Sequence, residues 1–126
     1  MTPRPNRKRA EKQGRRAEFL AALLLQAKGY KILARRYKTG AGEIDIVART
    51  KSTVVFVEVK ARTDLQTAEK SLFPQMQKRI ENASDIFMAR TLSVQKLTMR
   101  YDAIFVLPGF LGIPKFVHRK DAWRAW

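Results

Sequence analysis

The sequence contains no cysteine and a single histidine, His118. Disulfides, thiolate zinc sites, iron-sulfur clusters and cysteine nucleophiles are thereby excluded, and one imidazole cannot build a histidine-rich metal site. Any metal would have to sit on carboxylates. Acidic residues are themselves scarce: 11 Asp and Glu stand against 26 Lys and Arg, a formal charge of +15. Such a field concentrates polyanions, which makes nucleic acid the expected partner. Long apolar runs are also lacking. The stretch Phe19 to Ala27 (FLAALLLQA) follows basic residues as a signal-peptide core would, but Glu18 abuts it, no small-residue cleavage pattern follows, and it falls far short of the roughly 20 residues that span a bilayer. A cytoplasmic protein without membrane contact is the expectation. The 126 residues, 45% hydrophobic and 29% charged, suffice for one domain with a real core and leave no room for a second.

The positive charge is concentrated. Residues 1–40 hold twelve basic and two acidic residues, a net +10, which leaves +5 for the other 86. Residues 1–12, with Pro3, Pro5 and five of the basic residues, read as a flexible basic arm ahead of a single folded unit over 13–126. An arm of this kind either lies along phosphates or serves as a solvated tail. Arg15, Arg16, Arg35, Arg36, Lys38, Arg62 and Lys78 are the further candidates for nucleic-acid contact.

A helix is expected from about Gln13 to Lys28, with Phe19, Leu20, Leu23, Leu24 and Ala27 as its apolar stripe and Gly29 as its stop. Alternation around Tyr30, Ile32 and Ala34 suggests a short strand, and Thr39 to Gly42 a turn. GEIDIVAR (Gly42 to Arg49) and TVVFVEVKAR (Thr53 to Arg62) then read as two strands joined tightly into a β-hairpin. Pro74 suits the start of a helix carrying Met76, Ile80, Ala83 and Phe87 at helical spacing. Leu97 to Leu107 alternates as a strand, Lys115 to His118 adds a short edge strand, and Asp121 to Trp126 forms a tail. The result is a single mixed α/β domain of order α-β-β-β-α-β(-β), with a central antiparallel hairpin flanked by helices.

The hairpin carries the chemistry. A turn centred on Lys51 and Ser52 makes the numbers of facing residues sum to 103, placing Asp45 opposite Glu58 and Glu43 opposite Lys60. Two opposed carboxylates repel, so they need either free access to water or a cation between them. Magnesium or manganese would supply that cation, held by Asp45 and Glu58 with the Val59 carbonyl as a further oxygen ligand. Lys60, on the face of Glu58, would then orient a water or stabilise charge developing on a phosphate. On spacing alone a solvated surface ion pair is the commoner outcome of such a pattern. Against it, these carboxylates interrupt Val- and Ile-rich strands in a chain poor in acid.

GEIDIVA followed by VFVEVKAR, together with GRRAEFLAALLL, GYKILARRY and RYDAIFVL, resembles the YraN-type uncharacterised bacterial family (UPF0102). The resemblance runs from about Gly14 to Trp123. It implies a restriction-endonuclease-like or Holliday-junction-resolvase-like fold and a metal-dependent nuclease site of the D…ExK kind. On that pattern Asp45 is the first acid, with Ile44 where many such nucleases have proline, and Glu58 and Lys60 form the ExK half. Glu18 matches an acidic position that approaches the metal in resolvase-like relatives, and Glu43 matches the family pattern as a possible additional site residue. Ala17 and Met76 depart from it, standing where Gly and Lys are common. Met76 removes a cation from the start of its helix, leaving Gln77 and Lys78 as substitutes.

His118, Trp123, Trp126 and Asp102 carry no assigned chemistry at this stage. Three functions stay open: a magnesium- or manganese-dependent phosphodiesterase acting on DNA, a nucleic-acid-binding module of the same fold without turnover, and an assembly protein whose basic surface meets an acidic partner. A homodimer is compatible with all three, since resolvase-like relatives pair two active sites, but no seam in the sequence marks one.

Overall fold

The computed structural model describes residues 5–125. Its main elements are α1 (Pro5–Ala27), β1 (Lys31–Lys38), β2 (Glu43–Arg49), β3 (Thr53–Ala61), α2 (Leu65–Lys70), α3 (Pro74–Arg90), β4 (Thr98–Leu107) and β5 (Lys115–Trp123). The strands form one open sheet in the order β1-β2-β3-β4-β5. The β3–β4 pair is parallel and the other three are antiparallel. A parallel neighbour requires a long crossover, which α2 and α3 supply. β3 is central and buried on both faces: Val55, Val57 and Val59 pack with α1, Val54 and Phe56 with α3. A doubly covered strand reads as a continuous apolar run rather than an alternating one.

Several boundaries differ from the sequence expectation. α1 begins at Pro5, so residues 5–12 continue the helix where a flexible arm was expected; residues 1–4 of that arm, and Trp126, lie outside the described residues. The buried stripe of α1 is Ala17, Ala21, Ala22 and Leu25, whereas Phe19 is 50% and Leu23 46% exposed. The larger residues attracted the sequence reading. The alanines win because a helix lying on a Val-rich sheet approaches it closely only through small side chains. This rotation also carries Glu18, beside Ala17, inward to 8% exposure.

α2, absent from the sequence reading, is only six residues long and depends on its cap: the Asp64 carboxylate accepts from the Thr67 N–H at 2.8 Å. It covers Phe105 and Leu107 with Ala68. α3 starts at Pro74 as expected and buries Ile80, Ala83, Ser84 and Phe87. β5 runs on to Trp123, through the segment expected as a tail, and stacks Trp123 on Tyr101 at a centroid distance of 5.2 Å. Its path bends at Asp121, where φ is 54° and the β4–β5 register shifts. Among the described residues no helix is long and apolar enough to cross a membrane.

Candidate active site

The hairpin turn forms at Thr50 to Thr53, closed by the Thr50 N–H to the Thr53 carbonyl at 2.9 Å. The β2–β3 pairs are Ile46↔Val57, Val47↔Phe56, Ala48↔Val55 and Arg49↔Val54, the expected register. Backbone pairing stops there. Asp45 and Glu58 would come next, but the Asp45 side chain takes over from the ladder and accepts the Val59 N–H at 2.8 Å. Glu43 and Lys60, expected to face each other, form no ion pair.

A second irregularity coincides with the first. Ile46 packs on the α1 side and Ile44 on the α3 side, although residues two apart share a face in an unbroken strand. The alternation therefore breaks at Asp45. In β1, Arg36 lies between the pairs Arg35↔Ile46 and Tyr37↔Ile44 and has a φ of 52°. Both strands twist at this level, and Tyr37 crosses to meet Phe87 of α3 edge-on at 5.2 Å. Gly42, just ahead of β2, permits α3 to close over the site, because a Cβ there would collide with the Arg79 carbonyl. Thr39 braces that turn, its hydroxyl oxygen accepting from the Ala41 and Gly42 N–H groups at 3.1 and 3.0 Å.

The outcome is a cleft of about 570 Å³ at the end of β2 and β3, between the N-terminal half of α1 and the start of α3. Asp45, Glu58, Val59 and Lys60 line it, joined by Glu18 from α1, Arg36 from β1 and Glu43 from β2. Five of the sequence-predicted catalytic or metal-binding positions thus meet in one place, with Glu43 and Arg36 beside them. Gln77 does not: its side-chain amide donates to the Leu72 carbonyl at 2.9 Å. Lys78 is exposed outside the cleft. The α3 residues that do line it are Gln75, Met76 and Arg79. Sequence reasoning missed Gln75 and Arg79, which lie four apart on the helix flank beyond the apolar stripe; that spacing was the available signal. Of the other basic candidates, Arg16 and Arg62 line a neighbouring cavity. Arg35 lies over the Phe19 ring at 5.8 Å, and Arg15 and Lys38 are solvent-exposed.

Asp45 and Glu58 meet in the cleft, two acids that are normally ionised at neutral pH. Burial, then the neighbouring Glu58 carboxyl, push the Asp45 carboxyl up to about 9. Glu58 itself is 8% exposed. Glu18 is also raised, by burial and by the charge of Asp45, against the pull of Arg36, whose Nε lies 3.8 Å from its carboxylate. Among the described residues, no set of three or more acidic, histidine or cysteine side chains converges as a ready-made metal cage. The side-chain complement is two carboxylates, an all-oxygen set of the size that magnesium uses when water and substrate phosphate fill the remaining positions. A divalent ion between the two would remove the repulsion that adds to burial in raising Asp45.

The family model for "Uncharacterised protein family UPF0102" matches residues 17–106. A UPF0102 protein of Mesorhizobium japonicum is 47% identical over 106 residues, covering 84% of this chain and 85% of the relative. Another, from a Chelativorans species, is 46% identical over 105 residues, covering 83% and 85%. A third, from Maricaulis maris, is 45% identical over 117 residues, covering 93% and 89%. On these matches, the chain belongs to the UPF0102 family.

Proposed function

We propose that the protein is a metal-dependent phosphodiesterase acting on DNA, with magnesium or manganese held by Asp45 and Glu58. The observation that carries this reading is the Asp45–Glu58 carboxylate pair in one cleft, Glu58 buried and Asp45 half-buried, in a chain of net charge +15. Two acids held against each other inside a cationic protein are poorly explained by stability, and a divalent ion bridging them to a phosphate explains both. When bound, the ion supplies Lewis acidity and lowers the pKa of coordinated water. The chain does the rest. The Val59 N–H fixes one Asp45 oxygen and so orients the other. Lys60 stabilises charge developing on the phosphate, and Arg79 offers a second cation from α3. Arg36 and Glu18 hold each other at the rim, so that Arg36 faces the incoming backbone. The exposed Arg15, Arg35 and Lys38 extend the basic surface without reading sequence. The resemblance of the D…ExK pattern to restriction-endonuclease-like sites supports the same reading.

One observation favours a second reading, a nucleic-acid-binding module without turnover. Met76 lines the cleft at the first turn of α3, where a thioether replaces the cation common in the family. Both readings are tested with wild type, Asp45→Asn and Glu58→Gln on labelled single-stranded, duplex, flapped and four-way DNA in magnesium, manganese or EDTA. Metal-dependent cleavage that falls about a thousandfold in both variants, on the scale of losing a preorganised electrostatic contact, with DNA affinity retained, is the expected result. Binding without cleavage by the wild type would select the module.

A further inference from the structure

The cleft has a neighbour on the other side of α1, a cavity of about 450 Å³, within the size range of small-ligand sites. The two are contiguous in sequence as well as in space. Glu18 lines the first, while Arg16 and Ala17 line the second; Lys60 lines the first, while Ala61 and Arg62 line the second. From Lys60 to Arg62 is two residues of extended chain, about 7 Å. The inner wall is apolar, formed by Val106 and Leu107.

The outer wall is the β4–β5 connection, which lines the cavity with Pro108, Gly109, Gly112 and Pro114, while Phe110, Leu111 and Ile113 of the same loop are 83%, 81% and 68% exposed. The backbone holds them there. Leu111 and Gly112 are consecutive left-handed residues, with φ of 55° and 76°, a conformation that costs a leucine about 1 kcal/mol or more. The Ile113 N–H closes the turn on the Phe110 carbonyl at 3.1 Å. Gly109 admits no side chain, because a Cβ would collide with the Ile113 carbonyl. A strained, tied turn that keeps three large apolar side chains in water gains nothing for the isolated fold, and contiguous apolar exposure of this kind marks a binding surface.

We propose that this loop and cavity form a site for an unpaired nucleobase, with Phe110 as its stacking surface and Arg16 and Arg62 meeting the adjoining phosphates. An exposed aromatic on the loop that walls an apolar cavity, itself lined by two arginines, is a combination that holds single strands irrespective of sequence. A second copy of the chain would bring another +15 to the same basic rim and be repelled. The inference rests on the reading that the Asp45–Glu58 cleft meets phosphodiesters, and it names the substrate class: DNA with a single-stranded or frayed segment at the site.

The test titrates the full chain, in EDTA, against a single strand carrying 2-aminopurine and against the same sequence in a blunt duplex. Wild type is expected to prefer the single strand and to quench the fluorescent base by stacking. The double variant Phe110→Ser, Leu111→Asn changes only exposed side chains, and asparagine suits the left-handed backbone, so its melting temperature should match or exceed that of wild type. It should bind the single strand about tenfold more weakly, lose the quenching, and bind duplex within about twofold of wild type. Arg62→Ala should lower the salt dependence of binding by about one phosphate contact. Equal affinities of wild type and double variant for both DNAs, or equal losses on both, would overturn the proposal. So would a wild-type dimer, seen by light scattering, that the double variant dissociates, since the loop would then belong to a second copy. Selective loss of single-strand binding without cleavage in magnesium or manganese would keep the nucleobase site and remove the phosphodiesterase. Cleavage by wild type and double variant alike, with no substrate preference lost, would do the reverse. Wild type binding neither DNA would remove both.

Discussion

Two carboxylates in the same sheet, one buried and one half-buried, are treated in opposite ways. Asp102, on β4, is fully buried and satisfied. It accepts Arg100 Nε and the second guanidinium nitrogen at 2.8 and 2.9 Å, His118 Nε2 at 2.8 Å, and the Asp121 N–H at 2.9 Å. Asp45, on β2, accepts one backbone N–H at 2.8 Å and otherwise faces another acid. Both sit where a strand ladder is interrupted, Asp102 at the β4–β5 register shift and Asp45 at the end of the β2–β3 pairing. In each case the carboxylate caps an N–H that the ladder leaves over. The difference lies in the company. At Asp102 a guanidinium balances the charge, an imidazole adds a further hydrogen bond, and the arrangement is complete without a ligand. At Asp45 the attraction of Lys60 is outweighed by burial and by Glu58, so the rest of the charge balance has to come from a proton or from something bound. A buried acid becomes a candidate for chemistry through what its neighbours fail to supply.

The largest effects should come from exchanging these circumstances. Asp102→Ala strands Arg100 and His118 together in the interior and should destabilise the protein by about 3 kcal/mol, read as a lower denaturant midpoint. Cleavage should fall only with the folded fraction. Asp45→Asn should move stability the other way. An asparagine can still accept from the Val59 N–H, and its amide can donate to Glu58, so the repulsion disappears without leaving a hole. In EDTA at pH 7 the variant should be more stable than wild type by about 1 kcal/mol or more, while losing cleavage. Destabilisation of both variants by the same amount would erase the distinction and return Asp45 to an ordinary core acid.

The hairpin register was legible in the sequence because a short turn and strict alternation leave one solution that buries the valines. The break at Asp45 was not. It depends on Arg36 adopting a left-handed backbone and on Tyr37 crossing to Phe87, which are tertiary events with no local signature. Glu18 was reached only through resemblance, since the Phe19/Leu23 stripe would have turned it away from the sheet; the Ala17, Ala21, Leu25 spacing carried the correct rotation. Asp102 and His118 lie 16 residues apart in sequence, and only the β4–β5 register joins them. Arg79 remained unread because its charge looked like a solvated helix face until Gly42 let α3 close over the cleft.

The second effect is smaller and concerns sign. Burial alone would raise Asp102, but the hydrogen bonds from His118, Arg100 and Asp121 outweigh it and leave the carboxyl below its usual range. A lowered acid stabilises the fold above its unfolded value, near 3.9, and that contribution is lost as pH falls through the folded value. Asp45 is raised, so it favours the fold fully below about 3.9 and loses that contribution as pH rises toward about 9. Melts in EDTA should separate the two. The gap between wild type and Asp102→Asn should close below pH 4, and the gap between wild type and Asp45→Asn should widen from pH 5 to 9. Parallel pH profiles for the two gaps would contradict the assignment of opposite shifts.

The smallest effect tests whether the Asp102 group ends at His118 or extends to the surface. Lys28 Nζ lies 2.9 Å from His118 Nδ1. An ammonium only donates, so Nδ1 is the acceptor and Nε2 carries the proton given to Asp102. This fixes one tautomer from both ends, yet the ends are unequal. The Asp102 end is buried; the Lys28 end is exposed, where water replaces a lost hydrogen bond at little cost. Lys28→Ala should therefore cost less than about 1 kcal/mol and leave the Nε2 proton in place. Since His118 is the sole histidine, the nitrogen chemical shifts of its one imidazole at pH 8 report the tautomer without assignment by mutagenesis. An unchanged Nε2–H tautomer in the variant places the determinant at Asp102, where the buried charge balance lies. A switch to the Nδ1–H form, or a loss comparable to that of Asp102→Ala, would make Lys28 part of the balance and enlarge the self-sufficient site by one more cation.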